Sequence, residues 1–136
     1  MRIAAILAVL AATPAHAEAR DPTAAALAQC LDAAANASTA GQTGCETVAR
    51  RGYDLRMNRA YAALMQRLPG EASATLRAAQ RAWLAFRDAD ARARQALYGT
   101  RRGTMYVPMQ AAAETAVTRD RALQLETALR VLSIDD

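Results

Sequence analysis

Residues 74–98 place the strongest constraint on the fold, and they hold the only tryptophan and the only phenylalanine of the chain. Apolar residues recur in this stretch at alternating steps of three and four, at Leu76, Ala79, Trp83, Phe86, Ala93 and Leu97. Such spacing places them on one face of an α-helix for about six turns, interrupted only by Asp90. Because so long an apolar face needs partners to bury it, the rest of the chain is expected to supply further helices.

Three more helices are predicted around this one. A short helix is expected over residues 24–36 and a longer one over 45–68, which a Pro-Gly pair ends. Residues 37–44 contain two glycines and several small polar residues, so a turn is predicted there. A last helix is expected from Pro108 to about residue 132. No stretch alternates with a period of two for long enough to indicate a strand. The predicted fold is therefore all-α, an antiparallel bundle of three long helices plus a short N-terminal helix.

The same periodicity predicts which sides of the second and last helices face the core. On the second helix the stripe comprises Val48, Gly52, Leu55, Asn58, Ala62 and Met65, and it is widened by Tyr61, Leu64 and Leu68. On the last helix it comprises Met109, Ala113, Val117, Leu125, Ala128, Leu129 and Leu132. Asn58 is therefore predicted to be buried. We interpret it as a hydrogen-bonded residue that sets helix register rather than as a ligand contact, since buried polar groups are usually satisfied internally.

Residues 1–17 have the pattern of a secretory signal peptide. They carry one cation, a short apolar run, and an Ala-His-Ala sequence that suits a cleavage site. The apolar run is too short to span a bilayer, and no later stretch approaches the roughly 20 apolar residues that a spanning helix needs. Cleavage after Ala17 would leave a flexible lead-in over residues 18–22 and a single domain over 23–136. We therefore expect a periplasmic or secreted protein that does not span a membrane.

The polar composition excludes several classes of function. All 17 basic residues are arginines, set against 13 acidic residues, and their mild, dispersed excess does not suit nucleic-acid binding. The single histidine, His16, lies in the predicted leader, and the chain has no lysine. Ser-His and Cys-His nucleophile pairs, histidine metal sites and Schiff-base lysines are thus unavailable to the exported domain. No carboxylates form an evident acid/base pair, so no enzymatic activity, cofactor or metal is expected.

Cys30 and Cys45 are the only cysteines of the chain. In an oxidising compartment an even pair is more often a disulfide than a reactive thiol or a metal site. A bridge between them would tie the short N-terminal helix to the second helix. Closing a loop of this length would stabilise the fold by about 3 kcal/mol in the chain-entropy model, which matters in a domain so rich in alanine.

Three spaced segments, residues 54–61, 80–89 and 117–122, resemble motifs of the LprI-like lysozyme-inhibitor domain family, a group of small exported helical proteins. Residues 54–61 are similar to its Asp-x-x-Leu-Asn-x-x-Tyr motif, with methionine in place of leucine. Residues 80–89 are similar to its Gln-Arg-x-Trp-x-x-Phe-Arg-Asp-Ala signature, and residues 117–122 to its Leu-Thr-x-x-Arg motif. Many relatives carry a further cysteine pair where this chain has Ala91 and Ala113. The third and fourth helices are accordingly expected to be held together by packing alone.

The resemblance implies a protein that binds a lysozyme-type glycosidase and blocks its cleft. Such a cleft presents two carboxylates, with which a guanidinium group would pair. Arg101 and Arg102 are the candidate partner-binding residues, on a loop between glycines and beside Tyr98 and Tyr106. The alternative for these arginines is an ordinary solvated loop. The alternative for the protein is an envelope interaction, stress or immunity protein that has another partner and does not inhibit lysozyme.

The motif residues themselves are predicted to be mainly structural. They are Asp54, Asn58, Tyr61, Gln80, Trp83, Arg87, Asp88 and Arg121. Arg87 is expected to pair with a nearby carboxylate and to hydrogen-bond to Asn58 or Gln80, which would fix the register of two helices. The alternative is that this row forms the interaction surface.

Overall fold

The computed structural model describes residues 21–134, which form four α-helices and no strand. The helices are α1 (Pro22–Asp32), α2 (Thr39–Arg67), α3 (Gly70–Gly99) and α4 (Tyr106–Val131), with a short 3-10 turn at Ala34–Asn36 after α1. The all-α class and the four predicted helices are confirmed. The predicted signal peptide lies outside the described residues. Within residues 21–134 none of the helices has the length and apolarity to cross a membrane.

The N-terminal half of α2 corrects the predicted turn over residues 37–44. The helix already begins at Thr39, because the Ser38 side chain accepts a hydrogen bond from the backbone N–H of Gly41 and caps it. A Cβ at Gly41 would lie 2.6 Å from the Cα of Asn36. The glycine therefore allows the chain before the helix to pass close to its first turn, rather than ending helical structure there.

The core lies between α2 and α4. Tyr53, Met57 and Leu64 of α2 are each no more than 2% exposed, and they cluster with Ala122 and Leu125 of α4. The centre of the predicted α2 stripe is therefore wrong by one position, whereas its widening residue Leu64 is buried as predicted. Val48 is 68% and Leu55 58% exposed, and Asn58 is exposed as well. The observed stripe buries a tyrosine and a methionine, so it removes more apolar area from water than the predicted stripe would. It also leaves the polar side chain of Asn58 in solvent.

Cross-helix contacts show that α2 and α4 run in the same direction. Near the start of both helices the Thr115 hydroxyl donates to the carbonyl oxygen of Glu46 at 3.1 Å. Near their ends Arg67 donates to the carbonyl oxygen of Leu132 at 3.0 Å. Because α3 connects the two helices, it returns in the opposite direction, and consecutive long helices are antiparallel as predicted.

Helix α3, which carries the clearest periodicity, lies at the edge of the core. Its one fully buried residue is Gln80, while Leu76 and Trp83 pack partly against the core cluster. Phe86 is 57% and Leu97 56% exposed, so the prediction that they face the core is wrong. Beyond Trp83 the inner side of α3 is polar, and the helix is not drawn tightly onto its neighbours there.

Polar and covalent contacts hold α1 in place, because none of its residues is buried. Asp21 caps the helix, accepts a hydrogen bond from the buried Tyr53 hydroxyl at 3.0 Å, and pairs with Arg56. Arg56 also makes two hydrogen bonds with Glu126 of α4, at 2.7 and 2.8 Å. Asp21, Tyr53, Arg56 and Glu126 are called the Arg56 network below. The cap is thus Asp21, a residue that the prediction assigned to a flexible lead-in.

The Arg56 network stabilises the ionised forms of Asp21 and Arg56. Burial alone would raise the pKa of Asp21, but the Ala24 backbone N–H, Arg56 and Tyr53 outweigh it and lower that pKa below its ordinary value. Burial and the hydrogen bond to Asp21 raise the pKa of Tyr53 to about 12. The hydrogen bonds from Arg56 to Glu126 outweigh burial and raise the pKa of Arg56. At neutral pH Asp21 of the network is therefore ionised, Arg56 is charged and Tyr53 is a neutral phenol.

The predicted disulfide between Cys30 and Cys45 is confirmed. It joins the last turn of α1 to the buried side of α2, and Asn36 adds a hydrogen bond to the Cys30 carbonyl oxygen at 2.9 Å. Helix α1 is thus attached at both ends, by the Arg56 network and by the disulfide.

Replacing both Cys30 and Cys45 with serine should lower the free energy of unfolding by about 3 kcal/mol, because the unfolded chain regains the freedom of the open loop. Urea titration followed by circular dichroism measures the change. Wild-type protein treated with a reductant should show the same loss. Equal stability of the oxidised, reduced and serine forms would contradict this account of how α1 is held.

Asp21→Asn should destabilise the protein at pH 7 by about 1–3 kcal/mol, the range for hydrogen bonds to charged groups. Since the pKa of Asp21 is lowered from 3.8 by folding, its contribution is present above about pH 4 and is lost as the pH falls through the lowered value. The stability gap between wild type and variant should therefore narrow in acid. Asp32→Asn, at the exposed opposite end of α1, is the matched control and should change stability by less than about 0.5 kcal/mol. A gap that stays constant down to acid pH would be inconsistent with the charged pair.

Candidate functional site

Three of the motif residues meet where α2, α3 and α4 converge. The guanidinium groups of Arg87 and Arg121 lie over the Trp83 ring, 5.5 and 5.9 Å from its centroid. Arg121 donates to the side-chain oxygen of Gln80 at 2.9 Å, and the Gln80 amide contacts the sulfur of Met57 at 3.7 Å. Met57, Gln80, Trp83 and Arg121 are called the Trp83 node.

The Trp83 node places a cation against aromatic and amide groups instead of a carboxylate. Burial lowers the pKa of Arg121, and its buried Nη2 atom has no hydrogen-bond partner among residues 21–134. The ring of Trp83 offers its negative face to this guanidinium, which compensates part of the lost hydration. The node therefore joins three helices, because Gln80 of α3 contacts both Arg121 of α4 and Met57 of α2.

The remaining motif residues differ from the predicted pairing. Arg87 pairs with a carboxylate, but with that of the adjacent Asp88, at 2.8 Å. Neither Asn58 nor Gln80 forms a hydrogen bond with Arg87. Asn58 lies in solvent and donates to Asp54 on its own helix at 3.2 Å, while Tyr61 packs partly against the core. The predicted hydrogen bond from Arg87 to another helix is therefore wrong, because the residues that line this part of α3 lie across an open space from α2.

This space is a groove of about 670 Å³ between α2 and the second half of α3. Asp54, Arg87 and Asp88 line it, together with residues that the sequence did not predict to form a site. Those residues are Arg50, Arg51, Leu55, Ala91, Arg94, Glu114 and Thr118. All of these lining residues together are called the α2–α3 groove. The sequence signal for it was the spacing of Arg87 and Arg94, which are seven residues apart and so share one face of α3.

The loop that carries the predicted partner-binding arginines lies at one end of the bundle. Residues 100–105, called the tip loop, connect α3 to α4, and their backbone is ordered by local hydrogen bonds. The Arg101 N–H donates to the Tyr98 carbonyl oxygen at 2.9 Å, and the Val107 N–H to that of Thr104 at 3.1 Å. Gly103 has a φ of 112°, the only positive φ among residues 21–134. Only glycine adopts this angle without strain, so Gly103 sets the course of the loop.

Arg101 and Arg102 are both exposed on the tip loop. Their guanidinium groups make no hydrogen bond or ion pair within the described chain, residues 21–134. Tyr98 and Tyr106, at the two ends of the loop, are half-buried. The structure thus brings all four predicted residues to one end of the molecule.

The sequence did not predict that apolar side chains surround these arginines. Met105 is 60% exposed, Val107 54%, and Met109 48%. Leu97 is also exposed, although both Leu97 and Met109 were expected to face the core. Because the helical stripes end where the bundle ends, their terminal residues have no neighbour to cover them. The tip therefore combines two unpaired cations with an apolar rim.

A comparison with protein-family models matches residues 30–125 to the family described as "Lysozyme inhibitor LprI". The chain belongs to this family. The matched range includes both cysteines of the LprI domain, its Trp83 node and its tip loop.

The LprI domain also resembles a solved structure, that of an uncharacterized protein from Burkholderia thailandensis. The two chains are 35% identical and superpose with a TM-score of 0.78, over 83% of this chain and 56% of the other. The LprI domain thus spans little more than half the length of that protein. A comparison with curated protein sequences found no match.

Trp83→Ala should destabilise the LprI domain by about 2–4 kcal/mol, because it removes the ring that separates two guanidinium groups and packs on the core. Urea unfolding followed by circular dichroism measures this. Phe86→Ala, on the exposed side of the same helix, is the control and should cost less than about 0.5 kcal/mol. Wild-type stability of the Trp83 variant would instead favour the interaction-surface alternative for this row.

Proposed function

We propose that this protein is exported and inhibits lysozyme-type glycosidases by inserting its tip loop into their catalytic cleft. The observation that supports this most directly is the pair of unpaired guanidinium groups, Arg101 and Arg102, on an exposed loop with an ordered backbone. Family membership supplies the class of partner. The predicted signal peptide supplies the compartment in which the two proteins would meet.

The chemistry of the glycosidase cleft explains why guanidinium groups would inhibit it. Such an enzyme needs one protonated carboxyl group as general acid and one ionised carboxylate as base or nucleophile. A guanidinium within hydrogen-bonding distance lowers the pKa of a carboxyl group, so the acid would lose the proton that it must donate. Planar, bidentate pairing with the second carboxylate would occupy the site of the substrate. Inhibition would thus combine steric exclusion with a change in protonation.

The apolar rim of the tip loop supports the same proposal. Met105, Val107 and Met109 would bury apolar area against the walls of a cleft that binds sugar rings, and methionine side chains adapt readily to irregular surfaces. The hydrogen bonds at the two ends of the tip loop reduce the conformational entropy that the loop would lose on binding.

Local complementarity must supply the affinity, because the overall charge does not. The chain has a net charge of +4, so it would not be steered toward a cationic lysozyme over long distances. Association is then expected to be of ordinary speed, and the strength of the complex to depend on slow dissociation.

The double variant Arg101→Ala/Arg102→Ala should weaken lysozyme inhibition at least about tenfold, since desolvated arginines at the centre of an interface dominate its binding energy. The assay is the rate of lysis of a cell-wall suspension at rising inhibitor concentration. Arg77→Ala/Arg81→Ala removes two exposed arginines from the outer side of α3 and is the charge-matched control, which should inhibit like wild type. Both variants should melt at the wild-type temperature.

Two results would count against the proposal. Equal weakening by both double variants would indicate a general charge effect instead of a tip-loop site. Unchanged lytic rates with stoichiometric wild-type protein would exclude lysozyme as the partner and favour the alternative of an envelope protein with a different partner.

A further inference from the structure

The α2–α3 groove exists because α3 turns a polar side toward its neighbours. Beyond Trp83, the inward positions of this helix carry Arg87, Asp90, Ala91 and Arg94. Charged side chains resist burial without partners, and Ala91 is too small to bridge the gap to α2. The two helices consequently stay apart over this length and enclose a volume of about 670 Å³. That volume lies within the range of small-molecule binding sites.

Four arginines from two helices converge on the α2–α3 groove, and few of their donors are used. Arg51 makes no hydrogen bond or ion pair within residues 21–134, and Arg50 reaches Glu114 only at 3.5 Å. Arg87 and Arg94 pair with Asp88 and Asp90 of their own helix, so neither is tied across the groove.

The unused donors of these arginines are available to acceptors from outside the chain. A guanidinium has five N–H donors, so the groove offers far more donors than its own carboxylates accept. The buried Nε atom of Arg94 has no partner among residues 21–134, although the side chain is only 14% exposed. Arg94 is therefore largely removed from water while part of its hydrogen-bonding capacity remains unmet, which is an unfavourable arrangement without a ligand.

Carboxylates that line the groove beside these arginines narrow the choice of ligand. Within residues 21–134, Asp54 of α2 accepts only the long hydrogen bond from Asn58, and Asp88 of α3 and Glu114 of α4 also line the groove. A simple polyanion such as nucleic acid would be repelled by these groups. A peptide matches both the arginines and the carboxylates of the groove. Its own carboxylates pair with the arginines, and its N–H groups donate to aspartate or glutamate.

We propose that the α2–α3 groove binds a short acidic peptide, with Arg51 and Arg94 holding its carboxylates and Asp54 accepting from its backbone. This site is separate from the tip loop and does not depend on the proposed inhibition of glycosidases. No cluster of histidine, cysteine, aspartate or glutamate suited to a metal lies within the described part of the chain.

The probe for this site is the dipeptide acetyl-Glu-Glu, titrated into the oxidised protein by calorimetry at low ionic strength. Wild type should bind it at millimolar concentration or below, and at least about tenfold more tightly than acetyl-Gln-Gln, because only the first carries side-chain carboxylates. Inorganic phosphate is the second probe, which distinguishes peptide recognition from general anion binding. Phosphate should compete weakly, since its compact negative charge is repelled by the carboxylates that line the groove.

Two variants with matched controls locate the binding. Ala91→Trp fills the groove without changing any charge and should abolish binding, whereas Ala93→Trp, on the exposed side of the same helix, should leave it intact. Arg51→Gln should weaken binding about tenfold, and Arg77→Gln, which removes an equally exposed arginine elsewhere, should not. Because Arg51 has no partner within residues 21–134, its substitution should not alter the melting temperature and keeps the test valid even if the Ala91 variant fails to fold.

Three outcomes would overturn the proposal. The first is the absence of acetyl-Glu-Glu binding by folded wild type at millimolar concentration. The second is binding that neither Arg51→Gln nor a folded Ala91→Trp variant weakens, which would place the peptide elsewhere. The third is phosphate competing as strongly as the dipeptide, which would show a site for any anion.

Discussion

The fold depends on the burial of one stripe of α2 against α4. In a chain with so many alanines few side chains bury much apolar area, and Tyr53, Met57 and Leu64 supply most of it on α2. The small Ala122 on α4, fully buried, lets the two helices approach closely over the same length. Once α2 and α4 have packed together, α1 and α3 attach to the outside of that pair. Both outer helices use polar contacts to do so, α1 through the Arg56 network and α3 through the Trp83 node.

The attachment of the outer helices explains where the functional surfaces can form. Gln80 and Trp83 hold α3 near its middle, and beyond them the helix is free to diverge from α2. That divergence opens the groove, and it carries the tip loop to an end of the bundle where neighbouring helices do not cover it. The surface with the proposed inhibitory role and the surface with the proposed peptide site are therefore both consequences of a single anchoring point on α3.

Helix content, helix order, the disulfide and the family could be predicted from the sequence, because each depends on local signals or spaced motifs. The side that each helix buries could not be predicted from the sequence. Periodicity shows that α3 has an apolar side, but Phe86 and Leu97 lie on that side in solvent, since the core partner of a helix is chosen by total buried area across all helices. On α2 two adjacent stripes competed, and the one with Tyr53 and Met57 was buried instead of the one with Val48 and Leu55.

The arginines of the tip loop were predicted from their glycine and tyrosine neighbours. The apolar rim was not, because its members belonged to helical stripes whose ends the sequence does not mark.

The parallel arrangement of α2 and α4 has a consequence for how the chain reaches its native state. Thr115 and Glu46 are 69 residues apart in the sequence, and Arg56 and Glu126 are 70 apart. The contacts that stabilise the core thus span half the chain, unlike those of a helical hairpin, and such long-range closure slows folding relative to the helix content. Until α4 has been synthesised, the apolar stripe of α2 cannot pack against its native partner. A nascent or truncated chain would therefore be prone to self-association through that stripe.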